Sequence, residues 1–282
     1  MERVDLLWTR GRTAEQGVPY VLLGELTGFA EQAVTGVSTL SALALLDGML
    51  SAPEGGEAAF SASRLAAPDR DRLLARVYLR SFGSRVESTL ECSGCGEPFD
   101  LDFELADLLE SLEAASRESR AGGDAAVLVL EPGPEEAGTG ARFRLPTGED
   151  ELAVAGLPAE AAEAELARRC LLDGASADEA GTAAGFLAAL DDHLARTAPL
   201  LDCELDAPCP HCGTPHAVRF DVQHYLLTLL TAERPRLSNE VHRLASAYGW
   251  SLAEILSLPR DDRRALVERV EADLAARAGA PV

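Results

Sequence analysis

The chain has 282 residues, with 25 basic against 47 acidic side chains, a formal net charge of −22, 47% hydrophobic residues and only 5% aromatic ones. This composition excludes a disordered or collagen-like chain, and the length suits about two domains built on packed cores. A chain so negative, with no segregated basic face, is repelled by the phosphate backbone, so a nucleic-acid partner is not expected.

The basic residues are all Arg, without a single Lys. No one site could demand that, so it reads as coding bias and not as a functional signal. The first five residues, Met1 to Asp5, carry acids where a secretory leader needs a basic segment. The most apolar early stretch, Leu40 to Leu50, is broken by Asp47 and Gly48, well short of the ~20 residues that span a bilayer. The expectation is a soluble, cytoplasmic protein with no membrane partner.

Apolar residues at helical spacing run from about Leu22 to Leu50, and a Pro/Gly/Glu loop follows at Ala52 to Glu57. An amphipathic helix is predicted from Pro68 to Phe82, because Leu73, Leu74, Val77, Tyr78 and Phe82 form one stripe and Gly83 stops it. From Arg85 the period changes to two. Val86, Ser88 and Leu90 alternate with Glu87, Thr89 and Glu91, the turn is Cys92-Ser-Gly-Cys95-Gly-Glu-Pro98, and Phe99, Leu101 and Phe103 alternate with acids. That pattern is a hairpin with a Cys-x-x-Cys knuckle at its turn.

Residues 105–200 then read as an insert. They hold an acidic helix from Leu105 to Leu112, a Ser/Arg/Gly linker from Ala115 to Asp124, and a hairpin of Ala126–Leu130 with Arg142–Leu145 around Pro132 to Gly140. Ala-rich helices follow from about Thr147 to Cys170 and Ala177 to Arg196. The hairpin pattern returns at Leu201, Cys203 and Leu205, with a second knuckle, Cys209-Pro-His-Cys212-Gly-Thr-Pro215, and a returning strand of Val218, Phe220 and Val222. Both knuckles read Cys-x-x-Cys-Gly-x-Pro and both return strands feed a helix, which marks a duplicated unit. The remainder is helical: Val222–Ala232, Asn239–Tyr248, Leu252–Leu256 and Pro259–Ala278, with Ser251 to Glu254 fitting a capping box.

The cysteines carry the chemistry. Two Cys three apart on a tight turn aim two sulfurs at one point, and two such knuckles complete a tetrahedral four-thiolate site. Cys92, Cys95, Cys209 and Cys212 are therefore the candidate ligands of one structural zinc ion in a ribbon split by the insert, with iron left open as the alternative metal. The 113 residues between the knuckles, Gly96 to Pro208, lengthen the loop by about three doublings over a compact ribbon. That costs roughly 2 kcal/mol, against apparent zinc-binding energies of about 10–16 kcal/mol. A thioredoxin-like dithiol would need its knuckle to open a helix, and a catalytic zinc would need a vacant position that four thiolates do not leave. His211 and His216, in and beside the second knuckle, are expected to be solvent-facing turn residues and not ligands. Cys170 and Cys203 read as buried small hydrophobes.

No catalytic residue is expected. The sequence has no Gly-x-Ser-x-Gly elbow, no phosphate loop and no His-Glu-x-x-His motif. Glu149-Asp150-Glu151 and Asp191-Asp192 read as solvated helix faces. Trp8, Tyr248 and Trp250 read as caps on small cores more than as partner anchors.

Three segments carry a resemblance. They are Pro68–Leu79 with Phe82–Glu87 leading into the first knuckle, Phe143–Glu149 opening a helix that ends Arg168-Arg-Cys-Leu-Leu172, and Glu240–Pro259. Together they resemble the T-even type baseplate proteins of tailed phages and of extracellular contractile injection systems. The resemblance implies a non-enzymatic structural part or assembly factor that contacts other baseplate or tail proteins, with the four Cys as metal ligands and His242 to Pro259 as a docking helix pair. A zinc-ribbon regulatory or nucleic-acid-associated module is the alternative, and no small-molecule substrate is expected. The fold expected is α+β and mainly helical: a helical region over 1–84, hairpins over 85–104 and 201–222, an inserted α/β subdomain over 105–200, and a helical arm over 223–282.

Overall fold

The computed structural model describes residues 1–9, 20–52, 60–120, 126–130, 141–173 and 180–278. Over these residues the fold is α+β and mainly helical, with strands confined to small antiparallel sheets.

The N-terminal part departs from the helical expectation. Strands β1 (Glu2–Asp5), β2 (Tyr20–Leu23) and β3 (Leu50–Ser51) form a three-stranded sheet, and the helices α1 (Gly28–Ala33) and α2 (Thr39–Asp47) lie between its second and third strands. The run Tyr-Val-Leu-Leu of β2 buries Val21 and Leu23 completely, as a strand covered on one face does. The Thr27 hydroxyl accepts the Ala30 amide at 3.4 Å and caps α1.

Helix α3 (Ala67–Phe82) is the platform of the molecule. It starts with Pro68 at a position that needs no amide donor and ends at Gly83, whose φ of 92° only glycine adopts freely. Its apolar stripe joins β2, α2 and the later helices α4 (Leu105–Arg120) and α8 (Val222–Ala232) in one core, with Leu73, Leu74, Leu105 and Leu226 fully buried. Several polar groups of the same helix are buried, Asp69 among them. The Asp69 carboxylate accepts the amides of Leu7, Trp8 and Thr9 at 2.7–2.9 Å, which ties β1's exit to α3.

The inserted unit has its own core. Strands β6 (Val127–Leu130), β7 (Ala141–Arg144) and β8 (Leu171–Asp173) form a sheet, covered by α6 (Ala159–Cys170) and α7 (Ala180–Thr197), while α5 (Gly148–Val154) packs between α6 and α2. Phe143 and Phe186 meet at 4.6 Å between ring centroids within it, and Trp8 plugs its edge. Helix α4 continues through Arg120, past the linker expected from Ala115; the rest of that linker, and the Pro132–Gly140 loop, fall outside the described residues.

Helices α9 (Arg234–Tyr248), α10 (Leu252–Ser257) and α11 (Arg260–Ala278) form the C-terminal arm. The Ser251–Glu254 capping box is present, with both reciprocal bonds made. A buried charge network attaches the arm to the body: Glu31 of α1 pairs with Arg260 and Arg263 of α11, and Arg263 Nε donates to Glu240 of α9 at 2.6 Å. No helix among the described residues is long and apolar enough to cross a membrane.

Candidate metal centre

Two hairpins build the centre. In the first, β4 (Arg85–Glu91) pairs with β5 (Pro98–Glu104) in the register Val86 to Phe103 and Leu90 to Phe99. In the second, β9 (Asp202–Asp206) pairs with β10 (Ala217–Asp221), Cys203 lying opposite Phe220. Both alternations expected from period two are observed. Each neck is closed by one backbone bond, Leu105 to Ser84 at 2.8 Å and Val222 to Leu201 at 2.9 Å.

The knuckles are superimposable in their hydrogen bonding. The Cys92 amide donates to Glu97 O and the Gly96 amide to Cys92 O, while the Cys209 amide donates to Thr214 O and the Gly213 amide to Cys209 O, all at 2.8–3.1 Å. Gly96 and Gly213 hold φ of 74° and 75°, the left-handed conformation that the turn requires and that explains glycine after each second Cys. The repeat keeps one offset throughout: 209 less 92 and 212 less 95 both give 117.

These turns bring the four expected ligands together. Cys92 Sγ lies 3.6 Å from Cys212 Sγ, Cys95 Sγ lies 3.9 Å from Cys209 Sγ, and all four sulfurs fall within 4.8 Å of one another. A tetrahedral ion with metal–sulfur bonds of about 2.3 Å places its sulfurs about 3.8 Å apart, so the tetrad is compatible with a metal site. A disulfide, at about 2.05 Å, is not what these separations describe, and all six cysteines are free. The close pairs join the first Cys of one knuckle to the second Cys of the other, as a local two-fold axis requires. Aromatic contacts repeat that symmetry at the same offset of 117: Phe103 meets Phe220 edge-on at 5.0 Å, and Phe99 meets the His216 ring at 5.4 Å.

The thiols of Cys92, Cys95 and Cys212 ionise unequally. Burial opposes ionisation of Cys92, but the Cys95 amide, the His216 ring and the Gly94 amide, 3.3 Å from its sulfur, outweigh it and draw the thiol below its ordinary range. The Glu97 amide favours the Cys95 thiolate, yet burial and the neighbouring sulfurs push that group upward. The Thr214 hydroxyl and amide lower Cys212. Four adjacent negative charges repel, and a divalent ion removes that conflict by direct bonding.

His211 is exposed at the knuckle surface, as expected. His216 is not a solvent-facing turn residue: it is half-buried, with Nε2 3.4 Å from Cys92 Sγ. The period-two alternation holds the signal for this, since His216 is in phase with the inward Val218 and Phe220. Cys170 is fully buried, its thiol pushed up to about 12 by burial, while Cys203 is half-buried and likewise raised by burial. The acidic run on α5 also departs from the solvated reading: Asp150 is 1% exposed and accepts from Arg144 and Arg169, and Glu151 accepts from Arg70. Trp8 is buried, whereas Tyr248 is 40% exposed and stacks on Trp250 at 4.9 Å. Compared with known proteins, the chain matches no family model, no curated protein and no solved structure.

Proposed function

We propose that the tetrad holds one zinc ion in a purely structural role, and that the protein is a non-enzymatic part or assembly factor of a phage-like contractile baseplate. The observation that carries the metal reading is the convergence of Cys92, Cys95, Cys209 and Cys212 from two segments far apart in the chain onto tetrahedral separations. Zinc suits the site better than iron because Cys95 and Cys212 are exposed, and an ion without redox chemistry tolerates that exposure. Four thiolates fill the coordination sphere, which is the arrangement of a structural and not a catalytic site.

The baseplate reading rests on the three resembling segments. The third covers the end of α9 and the whole of α10, where Tyr248 and Leu252 are 40% and 55% exposed and offer apolar contact area beside a capped turn. Two measurements test the two halves. Elemental analysis of protein purified without added metal is expected to return about one zinc per chain, and a value near zero overturns the metal reading. Affinity capture from cells that carry contractile-system genes is expected to recover baseplate or tail components; their absence, or a salt-dependent shift of nucleic acid instead, overturns the assembly reading.

A further inference from the structure

We propose that His216 is a positioning residue for the metal, donating its Nε2 hydrogen to the Cys92 thiolate and so slowing loss of the ion. The inference rests on the zinc reading above and deepens it.

A divalent ion on four thiolates leaves the cluster with two negative charges, within a chain already at −22. Such a centre is stabilised by N–H and O–H donors aimed at its sulfurs, which orient the ligands and draw off part of their charge. Among the described residues the donors that lie within a knuckle come from local turn geometry: Gly94 N to Cys92 at 3.3 Å, and the Thr214 hydroxyl to Cys212 at 3.1 Å. His216 differs. It stands on the second hairpin and reaches a sulfur of the first, with Nε2 at 3.4 Å. Its backbone is pinned, because its carbonyl accepts the Ala207 amide at 2.8 Å, and its ring is backed by Phe99.

The local two-fold makes the contrast sharp. His216 occupies the position that Phe99 holds in the first repeat, four residues after the second Cys in each. Phenylalanine there packs but cannot donate, whereas imidazole fills similar space and adds an N–H. The symmetry is therefore broken at a position whose side chain faces a metal ligand. The bond also crosses between hairpins, so it resists their separation when the ion begins to leave.

The test uses the full-length zinc protein and follows zinc release to a chromogenic chelator. His216→Phe keeps the ring and reproduces Phe99 but removes the donor. It is expected to bind about one equivalent of zinc and to lose it about 10- to 100-fold more readily than wild type. His216→Gln, which restores a donor, is expected to recover part of that loss. Release from His216→Phe at the wild-type rate overturns the proposal, as does an equal defect in the Gln variant, which would mean that a donor at this position does not by itself retain the ion. Cobalt substitution separates donor from ligand: the absorption bands of wild type and His216→Phe are expected to share a four-sulfur pattern, and a nitrogen-ligated pattern in wild type alone refutes the donor role. Zinc content of the wild type is read first, so failure of the metal site itself is distinguished from failure of the His216 role.

Discussion

Replacing Asp71 by Asn is predicted to stabilise the protein at pH 8 and to do little at pH 5. Asp71 lies on α3 at the neck of the second hairpin, 6% exposed, and its carboxylate accepts the Leu201 amide at 3.1 Å. Burial raises its pKa from 3.8 to about 7; Arg70 and the Leu201 amide pull it down, and Asp221 and Glu151 push it further up. The folded state therefore holds this proton more tightly than the unfolded chain does. Its stabilising contribution is complete below pH 3.8, falls as pH rises, and is lost above about pH 7. Three units at about 1.4 kcal/mol each set a ceiling on the order of 4 kcal/mol. Asparagine mimics the protonated acid at every pH and can still accept from Leu201, although its amide group needs a partner whose lack costs about 1 kcal/mol. The expected gain is thus about 1–3 kcal/mol at pH 8, shrinking to zero or a slight loss at pH 5. Urea denaturation of both proteins at the two pH values measures it, and acid loss of metal from the thiolates cancels in the difference between them. A gap that is the same at both pH values, or a variant less stable at pH 8, refutes the reasoning.

Other perturbations address other layers of the structure. Cys209→Ser is expected to reduce bound metal to well under about half an equivalent, while Cys203→Ser, altering a half-buried cysteine outside the tetrad, is expected to keep it; elemental analysis of the pair decides. Arg263→Met takes one of two arginines from buried Glu31, which keeps Arg260, and the nearest arginine from buried Glu240, which keeps Arg236 and Arg264 at 3.4 Å; the predicted loss in urea denaturation is about 3 kcal/mol, the low end for a broken buried pair, and adding Glu240→Gln is expected to recover part of it. Asp150 is held well below the ordinary carboxylate range: burial opposes this, but Arg144 and the Thr147 amide prevail. Its contribution is present above about pH 4 and fades as pH falls, so Asp150→Asn is expected to cost about 2 kcal/mol at pH 7, with a gap to wild type that narrows below pH 4 in thermal melts.

Sequence patterns were most legible where one residue period governs one face. The alternation of Val86 to Leu90 and Phe99 to Phe103 predicted both strands and their pairing, and the stripe Leu73, Leu74, Val77, Tyr78 predicted α3. Tyr20–Leu23 was harder, because a continuous apolar run followed by Leu26 and Phe29 also fits a helical stripe. The decisive partners, Arg3, Val4 and Ser51, lie in segments that periodicity does not connect to it. The charge network was illegible for the same reason. Arg260-Asp-Asp-Arg-Arg264 has the look of a solvated helix start, and only the approach of Glu31, 229 and 232 residues away, makes Arg260 and Arg263 interior groups. The four clustered cysteines were legible because a Cys-x-x-Cys knuckle is a local turn and a repeated spacing. His216 was not, because its role depends on the opposite knuckle.

The burial pattern also decides how far the influence of an ion in the cysteine cluster would extend. Each hairpin is two-stranded, and a two-stranded unit is marginal in water without a covering face. At the neck that cover is supplied by the body: Val86, Leu105, Leu201 and Phe220 belong to the main core, Tyr78 donates to Arg85 O at 2.6 Å, and Tyr225 of α8 donates to Glu87 O at 3.0 Å. At the tip the buried set is only Cys92, Phe99, Ala207 and Cys209, with Leu90, Leu101 and Val218 at its edge. So small a cluster cannot offset the conformational entropy of ordering residues 90–101 and 207–218, at about 1–2 kcal/mol each, so under the proposed metal reading an ion would matter to the tip more than to the neck. In the proposed reading, a metal ion would act as the core of the paired knuckles. Such an ion would couple to the helical body through the necks, by the core residues Val86, Leu105, Leu201 and Phe220 and the hydrogen bonds of Tyr78, Tyr225 and Asp71.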